Sequence, residues 1–292
     1  MELGRSHLAA GMFLTAALGL LAVCPAEAAR SIAYTRQAFH GVTAHVVTVN
    51  LNDPRIRVSI GLPRRGIGHS ETFAALMHRH QPAAAITGTF FSTDSLLPVG
   101  DIVTSGRRVY SGPAGAGFCV ASDNTTAIRA RRYGRTVNLR GFETALCTGP
   151  TLLRNGANAL YPRAEGYRDP SLWALRPRAA VGRTRHNKLV MAAVPQAIHL
   201  SRMRSIMKAL GCVDALGLDG GSSTAFYAGG RMRVRPGRRL TNVLTVSIAE
   251  KPAAMVTARL NRERDVRLAA LQHKRRPAMD AASLALATIG AR

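Results

Sequence analysis

One corner of the 292-residue sequence places a carboxylate, two glycines and hydroxyl side chains directly after an apolar run. Asp219 ends the run, and Gly220, Gly221, Ser222 and Ser223 follow it. Glycine permits positive φ and lets a ligand approach the backbone closely. Backbone N–H groups and hydroxyls at such a turn can bind an anion beside the carboxylate. The spacing alone is equally compatible with a structural turn that Asp219 caps.

Three other segments place polar residues at the ends of predicted strands. Thr87 and Gly88 follow an apolar run, and Asp101 lies in a segment that begins at Gly100 and reaches a second glycine at Gly106. Arg178 precedes a further apolar run. We expect these strand ends to share one cleft with Asp219. An arginine in that cleft would bind phosphate or carboxylate through its planar guanidinium group.

The charge of the chain is strongly unbalanced, with 40 Lys and Arg against 16 Asp and Glu and a net charge of +24. A positive field attracts phosphate polymers, nucleic acid or anionic lipid head groups. An arginine-rich proteome would give the same surface without any polyanionic partner. No aromatic RNA-binding motif, helix-turn-helix or zinc-finger pattern is present, so sequence-specific nucleic-acid recognition is not expected. A hydrophobic content of 47% excludes a wholly disordered chain.

The elements that would position these residues are mostly strands. Apolar alternation and turn residues predict strands, and apolar stripes at helical spacing predict two helices. The turn Asn52-Asp53-Pro54 predicts that the first two strands form a hairpin. The pattern predicts a single α/β or α+β domain with a mixed β-sheet core and flanking helices. The predicted strands cover residues 42–48, 56–60, 83–86, 213–218, 225–227, 232–234 and 243–248, and the helices cover 71–80 and 200–210.

The two ends of the chain differ in composition from the domain between them. Residues 1–28 contain Arg5, an apolar stretch and a small-residue site at Ala26-Glu27-Ala28, which is the layout of a cleavable secretory signal peptide. We therefore expect a secreted or periplasmic protein with its domain at 29–250. Residues 251–292 form a basic tail, either a disordered extension or an amphipathic helix that contacts anionic surfaces.

Export would place the cysteines of the domain in an oxidising compartment. Cys119, Cys147 and Cys212 allow one disulfide and one remaining thiol. Cys119 and Cys147 both lie in strand-like apolar segments, so we predict that they pair and that Cys212 is buried and inert. Their spacing matches no metal-binding motif. No cofactor is expected, although a carboxylate-bearing cleft could recruit a divalent cation.

Five segments, in order, resemble the motifs of the phosphodiester glycosidases. The two most specific are RAAVG, which is similar to the family's R-T-A-V-G strand, and LDGGSS, which is similar to its L-D-G-G-G-S corner. The sequence departs from the family pattern at Thr87, Asp101, Ala179 and Ser222. A side chain at Ser222 implies either that the backbone there avoids positive φ or that the chain bears a strain cost. The five segments are TGTFF at 87–91, GDIVTSGR at 100–107, GPTLLRNG at 149–156, RAAVG at 178–182 and LDGGSS at 218–223.

This resemblance implies hydrolysis of a sugar phosphodiester at the anomeric carbon, which frees the sugar and leaves a phosphomonoester. Asp219 would stabilise the oxocarbenium-like centre or activate water, and Arg178 would stabilise the phosphate that leaves. Asp101 and Glu143 are candidates for a partner acid or base. The residues expected to bind substrate are Thr87, Gly88, Phe91, Gly220, Gly221, Ser222 and Ser223.

A different class of function is also compatible with the sequence. The excess of arginine suits a secreted, non-catalytic protein that binds anionic glycopolymers such as teichoic-like polymers or acidic polysaccharide. For an enzyme, the expected substrate is a sugar phosphodiester or anionic glycan at the cell surface or in exopolysaccharide. Turnover blocked at Asp219 would favour the enzyme, whereas salt-sensitive binding without any product would favour the binding protein.

Overall fold

The structure is a computed structural model that describes residues 31–39, 41–131, 136–268 and 270. Strands predominate, and helices lie on the outside of the sheets. A third helix, α3, covers residues 254–268. Short 3-10 turns occupy Pro170–Leu172 and Gly221–Ser223. The other elements are β1 Ile32–Phe39, β2 Val42–Asn50, β3 Ile56–Gly61, α1 Phe73–His80, β4 Ala84–Thr87, β5 Ile102–Thr104, β6 Arg107–Tyr110, β7 Ala116–Ala121, β8 Thr126–Arg129, β9 Phe142–Thr148, β10 Thr151–Arg154, β11 Ala157–Asn158, β12 Arg176–Thr184, β13 Lys188–Ile198, α2 Leu200–Ala209, β14 Cys212–Gly217, β15 Phe226–Ala228, β16 Arg231–Val234 and β17 Val243–Ile248.

Within the described residues the strands form three sheets. The largest has the order β1-β2-β13-β12-β14-β10-β11, the second β16-β15-β4-β17-β3, and the third β6-β5-β9-β7-β8. The predicted fold class is confirmed, since a sheet core carries flanking helices in one domain. The strand pairs of the described residues are antiparallel rather than mixed, which corresponds to the α+β alternative.

The largest sheet is buried on both faces. Val181 and Met191 face the main core between the sheets, whereas Ala180 and Val190 face α2 on the other side. This follows from the two-residue period of a strand. Covering both faces explains why β12 and β13 read as continuous apolar runs in the sequence.

Both predicted helices are confirmed. The α1 helix begins after Thr72, whose hydroxyl accepts the Ala75 N–H at 3.2 Å. Such a side-chain acceptor satisfies one of the free N–H groups at a helix start. The α2 helix buries the predicted stripe that includes Met203 and Met207, and the chain turns at Gly211, where φ is +78°.

The predicted hairpin between the strands at 42–48 and 56–60, which are β2 and β3, is wrong. Both edges of β2 are occupied, by β1 on one side and β13 on the other, so β3 pairs instead with β17 in the second sheet. The turn after β2 therefore carries the chain from one sheet to another. Asp53 stabilises this turn by accepting the Arg55 N–H at 2.9 Å.

The predicted disulfide is also wrong, because Cys119, Cys147 and Cys212 are buried free thiols. Cys119 lies opposite Ala145, and Cys147 lies opposite Gly117, so the two cysteines are diagonal neighbours on β7 and β9. Diagonal positions are separated by about 7–8 Å, beyond the roughly 4.4–6.8 Å between Cα atoms that a disulfide spans. Cys212 is buried as predicted.

The part of the predicted tail that the structure describes begins with α3. Val256 is fully buried, and the Arg259 guanidinium donates to the Asp123 carbonyl at 3.1 Å and to Asn52 Oδ1 at 2.9 Å. Residues 254–268 are therefore a helix packed on the domain rather than a disordered extension. The predicted signal peptide at 1–28 and residues 271–292 lie outside the described residues. Among the helices that the structure describes, none is both long and apolar enough to cross a membrane.

Candidate active site

The site is built where the chain leaves β14 and passes between the first two sheets. The Leu218 N–H still donates to the Ala179 carbonyl on β12, at 2.9 Å. One residue later, the Asp219 N–H donates to the Gly88 carbonyl after β4, at 3.0 Å. Asp219 is therefore fixed by backbone contacts to both sheets, and three of the predicted strand ends meet at this point.

Gly88 is required by a close contact with Asn242. A Cβ on Gly88 would lie 1.8 Å from Asn242 Oδ1, which overlaps that atom. The same Oδ1 accepts the Thr89 N–H at 2.7 Å. Asn242 is buried and thus holds the turn that presents the Gly88 carbonyl to Asp219.

The carboxyl group of Asp219 is buried and only weakly paired. Burial raises its pKa to about 6, against a hydrogen bond from Ser223 and the charge of Arg238, which lower it. The Arg238 Nη2 lies 3.5 Å from Asp219 Oδ2, a long contact for an ion pair. A carboxyl group with a pKa near neutrality can exchange a proton at working pH, as a general acid or base must.

Arg238 also organises the wall of the site. Its Nε donates to Ser223 Oγ at 2.6 Å, and its guanidinium carbon lies 4.5 Å from the centre of the Phe91 ring. The stacked ring limits where the guanidinium can move. One arginine therefore connects the acid, a hydroxyl and an aromatic side chain.

Arg178 is buried at the start of β12 and holds the segment 171–174. Its guanidinium donates to the carbonyls of Ser171, Leu172 and Ala174 at 3.2, 3.0 and 2.6 Å, and to the Ile198 carbonyl at 3.2 Å. Burial lowers the pKa of Arg178, with a smaller effect from the charge of Arg176. An arginine stays charged nonetheless. Since these acceptors are neutral, its positive charge can act on a bound anion.

These groups surround one cavity of about 550 Å³ that opens to solvent. Asp219 and Arg178 both line it, so the central expectation of the sequence, that these two residues share an accessible cleft, holds in the structure. The lining also includes four further predicted residues, Phe91, Gly220, Gly221 and Ser222. The rest of the lining consists of Phe90, Ser92, Thr93, Val99, Ala114, Gly166, Tyr167, Arg168, Asp169, Ser171, Leu172, Arg176 and Arg238.

The sequence did not point to several of these lining residues. The chain contains 36 arginines, and the sequence around an arginine does not show whether it lines a site or lies on the surface. The lining residues Arg168, Arg176 and Arg238 could therefore not be distinguished from the others. No motif in the sequence includes Asp169, whose Oδ1 accepts the Ser171 N–H at 2.8 Å at the start of a 3-10 turn. Only the Pro236-Gly237 turn before Arg238 could have marked that residue as fixed.

Comparison with known protein families identifies the family of this chain. A family model described as phosphodiester glycosidase matches residues 80–247, which is more than half of the chain. The chain belongs to the phosphodiester glycosidase family. The matched range contains Arg178, Asp219 and Arg238. A comparison with curated protein sequences finds no match.

Solved structures share the fold of this chain at low sequence identity. A hypothetical protein from Synechocystis is 17% identical with a TM-score of 0.58, covering 74% of this chain, which spans 62% of that protein. The zebrafish N-acetylglucosamine-1-phosphodiester alpha-N-acetylglucosaminidase catalytic domain, auto-inhibited by its pro-peptide, is 20% identical with a TM-score of 0.59; the match covers 75% of this chain and 82% of that one. A Burkholderia pseudomallei protein assigned as exported is 13% identical with a TM-score of 0.56; the match covers 70% of this chain and 74% of that one.

The departure from the family pattern at Ser222 causes no strain in this chain. Positive φ at the corner falls on Gly221, at +58°, and Ser222 is not among the described non-glycine residues with positive φ. A serine is therefore accommodated, and it lines the cavity. Thr87 and Gly88 lie behind the cavity, and Ser223 is buried next to Arg238, so these three support the lining rather than form it.

The two candidate partner acids lie outside the lining of this cavity. Asp101 is fully buried and is paired with Arg131, with Arg108 at 3.4 Å and with the Ser111 hydroxyl at 3.0 Å. Glu143 is exposed on β9 and lines a different, smaller cavity next to α3. Neither carboxylate lines the cavity that holds Asp219. Among the described residues, no three His, Cys, Asp or Glu side chains converge in a group that could hold a metal ion.

Proposed function

We propose that this family member is a hydrolase that cleaves the bond between a sugar and phosphate in a glycosyl-1-phosphodiester, at the anomeric carbon. The observation that carries the proposal is a buried carboxyl group with its pKa raised to about 6 in the same cavity as buried Arg178. The family supports a sugar phosphodiester as the substrate class.

In this reaction, water adds its oxygen to the anomeric carbon, and the bond from that carbon to the phosphate oxygen breaks. The electron pair of the broken bond leaves with the phosphate, which becomes a phosphomonoester. Asp219 in its carboxylate form accepts the proton that water loses. The carboxylate also stabilises positive charge on the sugar ring as the bond breaks.

The leaving phosphate requires charge stabilisation more than protonation, because it departs as an anion. Arg178 and Arg238 line the same cavity as Asp219 and supply positive charge. The proposal therefore needs no second acid, which agrees with the position of Asp101 and Glu143 outside the cavity. Asp169 is another carboxylate on the lining, and its oxygen is engaged by the Ser171 N–H.

The remaining lining groups suit recognition of the sugar and phosphate. The Phe91 ring offers an apolar surface for one face of the sugar, although Arg238 covers the opposite face of the ring. The Ser222 hydroxyl and the glycine backbone at 220–221 can hydrogen-bond phosphate or sugar oxygens. A cavity of about 550 Å³ suits a ligand of several rings or charged groups.

We further propose that the protein acts outside the cytoplasm, as a secreted or periplasmic enzyme. The layout of residues 1–28 supports export, and so does the similarity in fold to a protein assigned as exported. In that compartment the available substrates are glycopolymers of the cell surface or of exopolysaccharide. The positive surface and the basic tail would bring the enzyme to such anionic polymers.

A non-catalytic role in binding anionic glycopolymers is the second candidate. The observation that favours it is the cavity wall itself, where Arg168 and Arg176 have no ion-pair partner among the described residues. A binding protein would bind the same ligands without releasing sugar. Its affinity would fall steeply with salt.

A single comparison tests the proposal. The purified protein and its Asp219→Asn variant are incubated with UDP-N-acetylglucosamine and with an N-acetylglucosamine-1-phosphodiester, and released sugar is measured. The Asp94→Asn variant is the matched control, because Asp94 is exposed and lies outside the cavity lining. We expect turnover by the protein and by Asp94→Asn only. Equal turnover by Asp219→Asn would remove Asp219 from the mechanism, and binding without any turnover would favour the second candidate.

A further inference from the structure

A second groove continues from the candidate active site. It has a volume of about 380 Å³ and is lined by Arg163, Tyr167, Arg168, Pro170 and Trp173. Tyr167 and Arg168 also line the first cavity, so the two spaces share a wall. A ligand bound in the first cavity can therefore extend along this wall into the groove.

The groove contains the only tryptophan of the chain, Trp173. Its side chain is unusually open for an apolar ring, with 40% of the residue exposed. The Arg163 guanidinium lies over the ring, 5.5 Å from its centre. An aromatic ring offers a flat apolar surface on which the C–H bonds of a pyranose ring can pack. A cation beside that ring adds an anion site at the same place.

Among the described residues, no carboxylate forms an ion pair with the two arginines that line the groove, Arg163 and Arg168. The guanidinium groups of Arg163 and Arg168 form no hydrogen bond or ion pair with other residues that the structure describes. The nearby carboxylates are already engaged, since Glu165 accepts the Thr151 N–H at 3.1 Å and Asp169 accepts the Ser171 N–H at 2.8 Å. An anion in the groove would therefore meet two available guanidinium groups.

The groove is also held in place by the active site. Arg178 donates to the carbonyls of Leu172 and Ala174, the residues on either side of Trp173. His199 contacts the Trp173 carbonyl through Nδ1 at 3.0 Å. The backbone that carries the tryptophan is thus fixed to the buried arginine of the first cavity. Such a fixed surface loses little entropy when a ligand binds.

We propose that the groove is a second subsite that binds the next sugar–phosphate unit of an anionic glycan while the reacting bond lies in the first cavity. The sugar ring packs on Trp173, and its phosphate pairs with Arg163 and Arg168. This inference rests on the proposed function and deepens it, because it makes a polymer with repeated sugar–phosphate units the substrate rather than a single nucleotide sugar.

The lone tryptophan makes occupancy of the groove measurable without turnover. We would titrate the Asp219→Asn variant with an oligomer of N-acetylglucosamine 1-phosphate and follow tryptophan fluorescence. We expect a saturable change with the oligomer, and none with inorganic phosphate or a neutral oligomer of N-acetylglucosamine. Absence of any change with the charged oligomer would overturn the proposal, as would an equal change with inorganic phosphate. A fluorescence response without turnover in the unaltered protein would reject the proposed function alone.

A kinetic comparison tests the same subsite through substrate length. In Trp173→Ala we expect KM for the charged oligomer to rise about tenfold, with kcat for the oligomer and KM for UDP-N-acetylglucosamine unchanged. Arg163→Gln should act in the same direction. Arg262→Gln removes an equal charge from exposed helix α3 and is the matched control. Trp173→Phe preserves a ring and should restore most of the affinity. Equal losses for both substrates, or in the control, would contradict a second subsite.

Discussion

Asp219 and Asp101 are both buried aspartates in glycine-containing family motifs, and each lies beside arginine. The structure nevertheless gives them opposite surroundings. Asp101 is in contact with Arg131, Arg108 and the Ser111 hydroxyl, and it lies outside the cavity lining. Asp219 lines the cavity, and the ion pair recorded for it is a long contact of 3.5 Å to Arg238.

This difference teaches that the neighbours of a carboxyl group, rather than its motif, decide whether it is available for chemistry. The carboxylate of Asp101 is occupied by two guanidinium groups and a hydroxyl and does not line the cavity, so it stabilises structure. At Asp219, burial outweighs the hydrogen bond from Ser223 and the charge of Arg238 and raises the pKa to about 6, so this carboxyl group titrates in a useful range. The predictions below test this contrast between the two aspartates.

The largest effect is expected on activity in Asp219→Asn, which preserves the shape of the side chain and removes its charge. We expect kcat/KM to fall by about 10²- to 10⁴-fold, the usual contribution of a general acid or base. Activity of the unaltered protein should rise with pH through about 6 and then level off, because the carboxylate is the form that accepts a proton. A profile that falls above this pH would instead assign Asp219 as the acid.

The same variant should also change how the free energy of unfolding depends on pH. The folded pKa of Asp219, about 6, lies above its ordinary value, so the native state binds this proton more tightly than the unfolded state. Its contribution to stability is therefore present at low pH and is lost as pH rises through about 6. Urea unfolding at several pH values should show this loss in the unaltered protein and a flatter dependence in Asp219→Asn.

The second largest effect is expected in Asp101→Asn, and it is an effect on stability. The substitution leaves the Arg131 and Arg108 charges facing a neutral amide beside a buried site. Removing one partner of a buried pair costs about 3 kcal/mol. Chemical unfolding should show this loss, while kcat per folded molecule remains close to that of the unaltered protein. A loss of kcat without a loss of stability would return Asp101 to the catalytic site.

A smaller effect is expected in Arg238→Gln, which removes the cation nearest to Asp219. The charge of Arg238 and its hydrogen bond both lower the pKa of Asp219, so that pKa should rise further without them. The pH at which activity reaches half its maximum should then shift upward, and for a shift of about one pKa unit activity should fall about twofold at pH 7 and nearly tenfold at pH 5. An unchanged pH profile would show that Arg238 acts on the substrate alone.

The sequence predicts the Asp219 corner and its shared cleft with Arg178, but it does not predict the arginine that contacts each aspartate. The Asp219 corner was predicted as a ligand-binding turn because an apolar strand, two glycines and hydroxyls occur together, and this local pattern specifies local structure. The shared cleft with Arg178 was expected from strand ends that the fold brings together. Arg238 was missed because its contacts with Ser223 and Phe91 join positions distant in sequence.

The incorrect predictions have the same origin. Asp101 reads as a catalytic candidate from its glycine neighbours, and nothing near it in the chain announces Arg131, which lies 30 positions away. The hairpin between β2 and β3 follows from local turn residues, but β13 takes the free edge of β2. The cysteine pair was chosen from strand-like surroundings, whereas the strand register decides that the two residues are diagonal. Local patterns predicted the elements, and long-range pairing decided their partners.

The smallest effect is expected on the reactivity of the buried thiols of Cys119 and Cys147. Burial raises the pKa of Cys119 and of Cys147 to about 12, and the negative charge of Asp101 contributes for Cys147. Since the thiolate is the reactive form, neither residue should be alkylated by iodoacetamide at mildly alkaline pH in the folded protein. Peptide mass spectrometry should show labelling of both only after unfolding, and a reducing agent should leave Tm unchanged. Labelling of Cys147 in folded Asp101→Asn would show that the ion-pair cluster around Asp101 is what keeps this side of the molecule closed, in contrast to the open cavity at Asp219.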